Sequence, residues 1–214
     1  SPTSVILAQA GDLQKVTYTL TGTPVGFGAL TAELNIAGIL TGTSTVTVIS
    51  ASDFVLAQIG NEADDPDTVN AVVTTDQLKL ITPALTNVVD DNQTAYQDYI
   101  DNNPTLFDSP ATQVQVQNMI NQVNANQSLL ANIGTDASNG NHLLTESVTA
   151  ADLNALPNVS GAVQANIERY KDFISENRPG FSSPATTAEV QAMVDLANAV
   201  APGAPTNVTA TLGA

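Results

Sequence analysis

Two segments of this chain carry nearly the same residues in the same order. Residues 96–125 are YQDYIDNNPTLFDSPATQVQVQNMINQVNA, and residues 170–199 are YKDFISENRPGFSSPATTAEVQAMVDLANA. When Tyr96 is aligned with Tyr170, an offset of 74 positions, 14 of the 30 pairs are identical without a gap. Identity at that density over an ungapped stretch predicts an internal duplication.

Both copies have the pattern of short helical repeats. The match continues backward with a one-residue slip, so the copies span residues 74–125 and 148–199. Capping-box spacings begin at Thr74 and Thr112 in the first copy and at Thr149 and Thr186 in the second. Apolar residues then recur every three or four positions. We therefore predict a short helix, a longer helix, a turn containing proline and a third helix in each copy.

The segment between the copies is predicted to be mostly irregular. Residues 127–133 extend the helical pattern by about a turn. Residues 134–141 begin with Gly134, include Gly140 and are otherwise rich in small polar residues, a composition typical of loops. We therefore expect the third helix of the first copy to end before this loop.

The first 60 residues have a different pattern. Residues 4–9, 16–20, 29–36 and 45–50 are short segments rich in Thr, Val and Ile, separated by turns that contain glycine. Their spacing predicts a small antiparallel sheet or sandwich. Residues 51–59 fit either a short helix or a strand. Near the C-terminus, residues 202–205 have the composition of a linker, and residues 208–212 predict a further strand.

These patterns together predict an α+β fold. The predicted order is an N-terminal antiparallel β-sheet or sandwich, a duplicated all-helical unit and a C-terminal strand. We place a β-rich domain at residues 1–67, a helical domain with two repeats at residues 68–201, and a linker with a terminal strand at residues 202–214. A unit of two or three short helices has little core of its own, so the copies are expected to pack together or against the β part.

The composition limits the range of functions. Charged residues are only 12% of the chain, and 21 acidic against 5 basic residues give a net charge of −16. Nucleic acids and anionic lipids are bound mainly through Lys and Arg, so neither is an expected partner. No stretch has the roughly 20 consecutive apolar residues that span a bilayer. The absence of Cys favours a prokaryotic exoprotein over a disulfide-bonded eukaryotic one, although an intracellular protein is also compatible with it. Because the chain begins at Ser1 rather than Met, we expect it to be processed or cut from a longer protein.

The duplicated segments resemble helical repeats in very large bacterial surface proteins of the adhesin type. The shared residues include Tyr170, Asp172, the run from Ser183 to Thr186 and the run from Glu189 to Asp195. The likeness covers about half of the chain and implies an extracellular location without implying a biochemical activity. Residues 204–210 look like the first strand of a fibronectin type III or bacterial Ig-like module, although the chain ends before such a module is complete.

Calcium is the metal that the sequence suggests. Five residues with oxygen-bearing side chains lie within seven positions at the predicted domain junction: Asn61, Glu62, Asp64, Asp65 and Asp67. Hard cations prefer such ligands. The spacing does not match an EF-hand, and a solvated acidic linker is the alternative interpretation. A second, weaker candidate loop contains Asp136, Asn139 and Asn141.

The sequence gives little support for catalysis. His142 is the only histidine, and without Cys there is neither a thiol nucleophile nor a thiolate metal site. A pair of carboxylates acting on a polysaccharide is the one enzymatic alternative, although the aromatics that usually line sugar clefts are few. Six of the nine aromatics fall at equivalent positions of the two copies, which favours core packing over a surface for stacking sugars.

We therefore expect a non-enzymatic extracellular structural or adhesive module of a prokaryotic cell-surface protein. Its partners would be neighbouring modules, further copies of itself, or a surface glycan or protein. The alternative is a subunit of an extracellular filament or pilus, in which a terminal strand such as residues 3–9 or 208–212 completes the sheet of a neighbour.

Overall fold

The computed structural model describes residues 28–36, 40–64 and 73–199. Within these residues there are two β-strands and seven α-helices, together with three single-turn 3-10 helices. In chain order they are β1 (Gly28–Ile36), β2 (Leu40–Val48), α1 (Ala51–Asp64), α2 (Thr75–Leu78), α3 (Gln93–Asn102), α4 (Gln113–Asn139), α5 (Ala150–Asn154), α6 (Ile167–Ser175) and α7 (Thr187–Ala199).

The chain divides into two compact domains, one ending at Ser50 and the other beginning at Ala51. In the N-terminal domain, β1 and β2 form an antiparallel pair in which Gly28 lies opposite Val48 and Ile36 lies opposite Leu40. In the C-terminal domain, all the described elements are helical. The division lies at Ser50 rather than at the predicted position 67, because the ambiguous segment after Ser50 forms helix α1.

The predicted α+β class is wrong. Helices account for 64% of residues 49–64 and 73–199, and no strand occurs in that part of the chain. The described strands ahead of it form one hairpin rather than a sandwich. The strands predicted at residues 4–9, 16–20 and 208–212 lie outside the described residues.

The predicted helix starts are confirmed by their hydrogen bonds. At Thr74, Thr112 and Thr149 the Thr side chain accepts a hydrogen bond from the backbone three residues later, and that later side chain accepts one from the Thr backbone N–H. Thr186 and Glu189 make the same pair of bonds at the start of α7. These caps fix where the helices begin after each irregular segment.

Helix α4 is much longer than predicted. It runs without interruption from Gln113 to Asn139 and ends at Gly140, whose left-handed backbone conformation (φ 65°) is typical of a helix C-terminus. Residues 134–139, predicted as loop, are its last turns. Among the described residues, neither α4 nor any other helix is long and apolar enough to cross a membrane.

Two hydrophobic cores lie along α4. The first half of the helix contributes Val116, Met119, Ile120 and Val123 to a core with α1 and α3. The second half contributes Leu130, Ile133 and Ala137 to a core with α6 and α7. The helix therefore serves as the last helix of one repeat and the first helix of the next.

The repeat is consequently longer than the sequence identity indicated. Helix α1 is the counterpart of the second half of α4, since Leu56, Ile59 and Gly60 align with Leu130, Ile133 and Gly134 at the same offset of 74. The two units are residues 51–124 and 125–198, and each contains a first helix, a short helix, a third helix and a last helix. The predicted starts at residues 74 and 148 omit the first helix of each unit.

One close contact holds the first helix of each unit to its Ser-Pro-Ala-Thr turn. The backbone N–H of Ala111 donates to the carbonyl oxygen of Leu56, and that of Ala185 donates to the carbonyl oxygen of Leu130, both at 3.0 Å. A Cβ atom on Gly134 would lie 2.5 Å from the carbonyl oxygen of Ser182 and 2.8 Å from the Ala185 nitrogen. Gly134 therefore allows the turn to lie directly against the helix.

Candidate functional site

The paired tyrosines are structural, as the sequence predicted. Tyr96 and Tyr170 are fully buried. In the second unit the Tyr170 hydroxyl donates to Asn198 Oδ1 at 2.7 Å and accepts from the Val163 N–H at 3.1 Å. Tyr96 makes the equivalent two bonds in the first unit. Each tyrosine ties the loop before the third helix to the last helix, so it is not available to stack on a ligand.

The predicted calcium ligands are only partly described. Asn61, Glu62 and Asp64 lie on the last turn of α1, with Asn61 and Asp64 exposed, whereas Asp65 and Asp67 lie outside the described residues. Within the described residues, no three His, Asp or Glu side chains come together in a group that could hold a metal ion. The calcium site stays a prediction.

Glu62 instead lies beside another carboxyl group. Its side chain is hydrogen-bonded to Asp101 at the end of α3. Burial raises the pKa of Asp101, and the negative charge of Asp98 adds to the increase, while the bond to Glu62 acts in the opposite direction. Because folding raises this pKa, the ionised form of Asp101 is less favourable in the folded chain than in the unfolded chain.

The weaker candidate loop has a structural explanation. Asp136 lies on α4 and is almost completely buried. Its carboxylate accepts hydrogen bonds from the backbone N–H groups of Leu144 and Thr145 and from the Thr145 hydroxyl. These bonds fasten the segment that follows α4 to the helix. The Asp136 carboxylate therefore already has three donors, while the side-chain oxygen of Asn141 accepts from the Leu143 N–H instead.

His142 lies beside a small group of charged side chains. Its Nε2 atom lies 3.3 Å from Glu146. Glu146 is 3.9 Å from the ammonium group of Lys171, which also contacts Glu168 at 3.1 Å. The Lys171 side chain is 8% exposed, while those of both glutamates are mostly exposed. In the first unit the equivalent of Lys171 is Gln97, which donates to the Val73 carbonyl. This group therefore holds the loop of the second unit in place.

A cleft of about 690 Å3 lies between the two cores. One wall is α3 with Asn103, the residue that follows it, and the floor is α4 from Gln122 to Leu130. The other wall is the segment after α5 with the start of α7. This volume lies within the range of about 300–1,000 Å3 typical of ligand sites. Because both units contribute to it, the cleft exists only where one unit follows another.

Side-chain amides supply most of the polar groups in the cleft. Asn102 and Asn103 donate from their amide nitrogens to carbonyl oxygens of α3 at 2.7 and 2.8 Å. Gln122 donates to Asn126, and Asn126 donates to the Ala155 carbonyl. The side-chain oxygens of Asn102 and Asn103, and the whole amide of Gln127, make no hydrogen bond to any described residue. Asn102 is exposed, and Asn103 and Gln127 are partly exposed.

Tyr99 is the aromatic residue of the cleft. Its ring packs edge-on against Phe107, with the ring centroids 6.4 Å apart. Burial raises the pKa of the Tyr99 hydroxyl, so the group stays protonated at neutral pH. Asp98 is the one carboxylate, and no Lys, Arg or His is among the residues that line the cleft.

The repeat alone does not require the amides of Asn102, Gln122 and Gln127. The second unit has Glu176 where the first has Asn102, and Leu196 where the first has Gln122; similarly, α1 has Asp53 where α4 has Gln127. The cleft was not predicted from the sequence, because the prediction of the repeat depended on positions where the copies agree. The sequence did contain a signal for the cleft, namely a set of positions where the two copies differ and one of them has an amide side chain.

Comparison of the chain with protein-family models, with curated proteins and with solved structures found no match.

Proposed function

We propose that this chain is a non-enzymatic structural and adhesive module of a prokaryotic cell-surface protein, in which the helical unit acts as a rigid spacer. The observation that carries the proposal is the shared helix α4, which belongs to both cores at once. A continuous helix between two cores resists bending at their junction because bending would break backbone hydrogen bonds and both packing contacts.

The design of the unit supports extension by repetition. Equivalent contacts recur in both copies at the same spacing, from the glycine contact to the buried tyrosine. Arrays in which each repeat contacts only its neighbours can be lengthened without changing the repeat itself. The acidic composition, the absence of Cys and the resemblance to repeats of large surface proteins support an extracellular location.

The experiment is to lengthen the array in the full chain. A further copy of residues 125–198 is inserted after Asn198, which recreates the natural junction between residues 124 and 125. Small-angle X-ray scattering then compares the native and lengthened chains. A spacer gives a larger maximum dimension with an unchanged cross-section. A lengthened chain with a larger cross-section and an unchanged maximum dimension would refute the proposal.

A filament subunit assembled by strand donation is the second candidate. The observation that favours it is the β1–β2 hairpin, since within the described residues each strand pairs only with the other. A two-stranded sheet can accept a further strand along either edge. Negative-stain microscopy of the full chain and of a chain lacking residues 205–214 tests this candidate. It predicts fibres that disappear on deletion, whereas discrete particles in both samples would exclude it.

A further inference from the structure

We infer that the cleft between the two units binds a short segment of a neutral polysaccharide, an inference that rests on the adhesive part of the proposed function. Three properties of the cleft support this: uncharged hydrogen-bonding groups, a small apolar surface and the absence of basic side chains along its lining.

The charge of the site limits the ligand. Asp98 is its one carboxylate, and the chain as a whole carries a net charge of −16. An anionic ligand would meet repulsion without a lysine or arginine on the lining to offset it. A cationic ligand would find a single carboxylate on the exposed side of α3, where screening by salt is strong. An uncharged ligand fits best.

The hydrogen-bonding groups fit hydroxyls. The side-chain oxygens of Asn102 and Asn103 can accept hydrogen bonds, whereas Gln127 can both donate and accept. A sugar hydroxyl also does both, so a row of amides matches successive hydroxyls without either partner changing its charge. The amides of Asn102 and Gln127 occur where the equivalent positions hold Glu and Asp, so packing of the repeat does not account for them, whereas the position equivalent to Asn103 also holds an asparagine, Asn177.

The apolar part of the cleft fits the ring face of a sugar. Tyr99 lies on one wall, and Leu156 and Pro157 lie on the other. Pyranose rings present C–H groups on their faces and hydroxyls at their edges, so they need an apolar surface beside polar groups. With a single aromatic ring the binding of one site would be weak, and firm attachment would require many copies along a surface.

Titration of the isotopically labelled full chain tests the inference. The probes are four neutral tetrasaccharides, built from glucose with β linkages, glucose with α linkages, mannose and xylose. A tetragalacturonate and an uncharged hexapeptide of Ser, Thr and Gly serve as comparison ligands. Amide NMR spectra are recorded for each. We expect at least one neutral tetrasaccharide to shift amides on α3, the middle of α4 and residues 155–158.

Variants locate the binding. Gln127→Ala removes one hydrogen-bonding amide and should weaken binding about fivefold, as expected for one hydrogen bond. Tyr99→Phe keeps the ring against Phe107 and removes the hydroxyl, which should weaken binding by a similar factor. Asn118→Ala is the matched control for Gln127→Ala, because Asn118 lies at an exposed position of α4 outside the cleft, and it should leave binding unchanged.

Three outcomes would overturn the inference. The first is that none of the neutral tetrasaccharides shifts the cleft amides. The second is that the shifted amides lie outside the cleft. The third is that the comparison ligands bind in the cleft and the tetrasaccharides do not. Binding of the hexapeptide alone would assign the cleft to extended peptide. Each of these results leaves the scattering test of the spacer unaffected, so failure of this inference and failure of the proposed function can be told apart.

Discussion

The close contact at Gly134 can be tested by adding a single methyl group. Gly134→Ala places a Cβ atom 2.5 Å from the Ser182 carbonyl oxygen, 2.8 Å from the Ala185 nitrogen and 2.9 Å from the Ser183 Cα. All three are backbone atoms, so no side-chain rotation can relieve the contact. The turn must move away from the helix.

The size of the effect follows from three contributions to the free energy of unfolding. Alanine in place of glycine inside a helix stabilises by about 1 kcal/mol. Overpacking of this kind destabilises by about 1–3 kcal/mol. Displacing the turn also weakens the hydrogen bond from Ala185 to Leu130, at a cost of about 1 kcal/mol. The net expectation for Gly134→Ala is a loss of about 1–3 kcal/mol.

Urea unfolding followed by circular dichroism at the helical band measures this loss. Gly60→Ala should cause a similar loss, because its Cβ would lie 2.6 Å from the Asp108 carbonyl oxygen. Ala131→Gly, at an exposed position of α4, is the control for helix propensity and should cost about 1 kcal/mol. If Gly134→Ala were as stable as the native chain or more stable, the helix–turn contact described here would be wrong.

Three further substitutions test the hydrogen bonds and the acid pairs. Tyr170→Phe should lower the free energy of unfolding by about 1–2 kcal/mol in a urea titration, because the buried hydroxyl bonds Asn198 and the Val163 backbone. Folding raises the pKa of Asp101, so its contribution to stability falls as pH rises through that pKa. Asp101→Asn should therefore raise the melting temperature near pH 7 and change it little near pH 3; a lower value near pH 7 would contradict this. The pKa of Glu189 is lowered in the folded chain: burial raises it, but hydrogen bonds with Thr186 and Ser182 together lower it by more. The ionised Glu189 therefore stabilises the fold above about pH 4.3, and this stabilisation is lost on acidification. Glu189→Gln should flatten the acid side of the melting-temperature profile, and an unchanged slope would count against the assignment.

The duplication was predictable where the residues agree, and its full extent was not. From Tyr96 onward the identities fix the register, and the capping boxes fix the helix starts. In the first helix of each unit the identities thin to six, at Ala51, Leu56, Ala57, Ile59, Gly60 and Ala63 and their counterparts. Leu56, Ile59, Gly60 and Ala63 keep the core and the glycine contact, while most of the other positions have diverged, so the similarity of the two helices was too weak to recognise in the sequence.

The continuity of α4 was missed for a related reason. Glycine usually weakens a helix, so Gly134 favoured a loop in the sequence analysis. In the structure, the tight contact with the Ser-Pro-Ala-Thr turn requires glycine at that position, and tertiary packing outweighs propensity. The true end of the helix is marked by Gly140, which was also within the predicted loop.

The cleft could not be predicted because it depends on how one unit follows the other. Its amides lie on three separate segments, around residues 102, 122–127 and 158. Each of these amides alone looks like an ordinary polar surface residue. Only the shared helix brings them to the two walls and the floor of one cleft.

A distance measurement across α4 tests whether one continuous helix serves both units. The chain has no Cys, so Val114→Cys and Asn139→Cys provide two unique sites for spin labels at exposed positions. An unbroken helix separates the two Cα atoms by about 38 Å, from 25 residues at about 1.5 Å each. Pulsed electron–electron double resonance should give one narrow distance distribution consistent with that separation. A broad or clearly shorter distribution would show that the helix breaks near residue 125 and would contradict the shared-helix architecture.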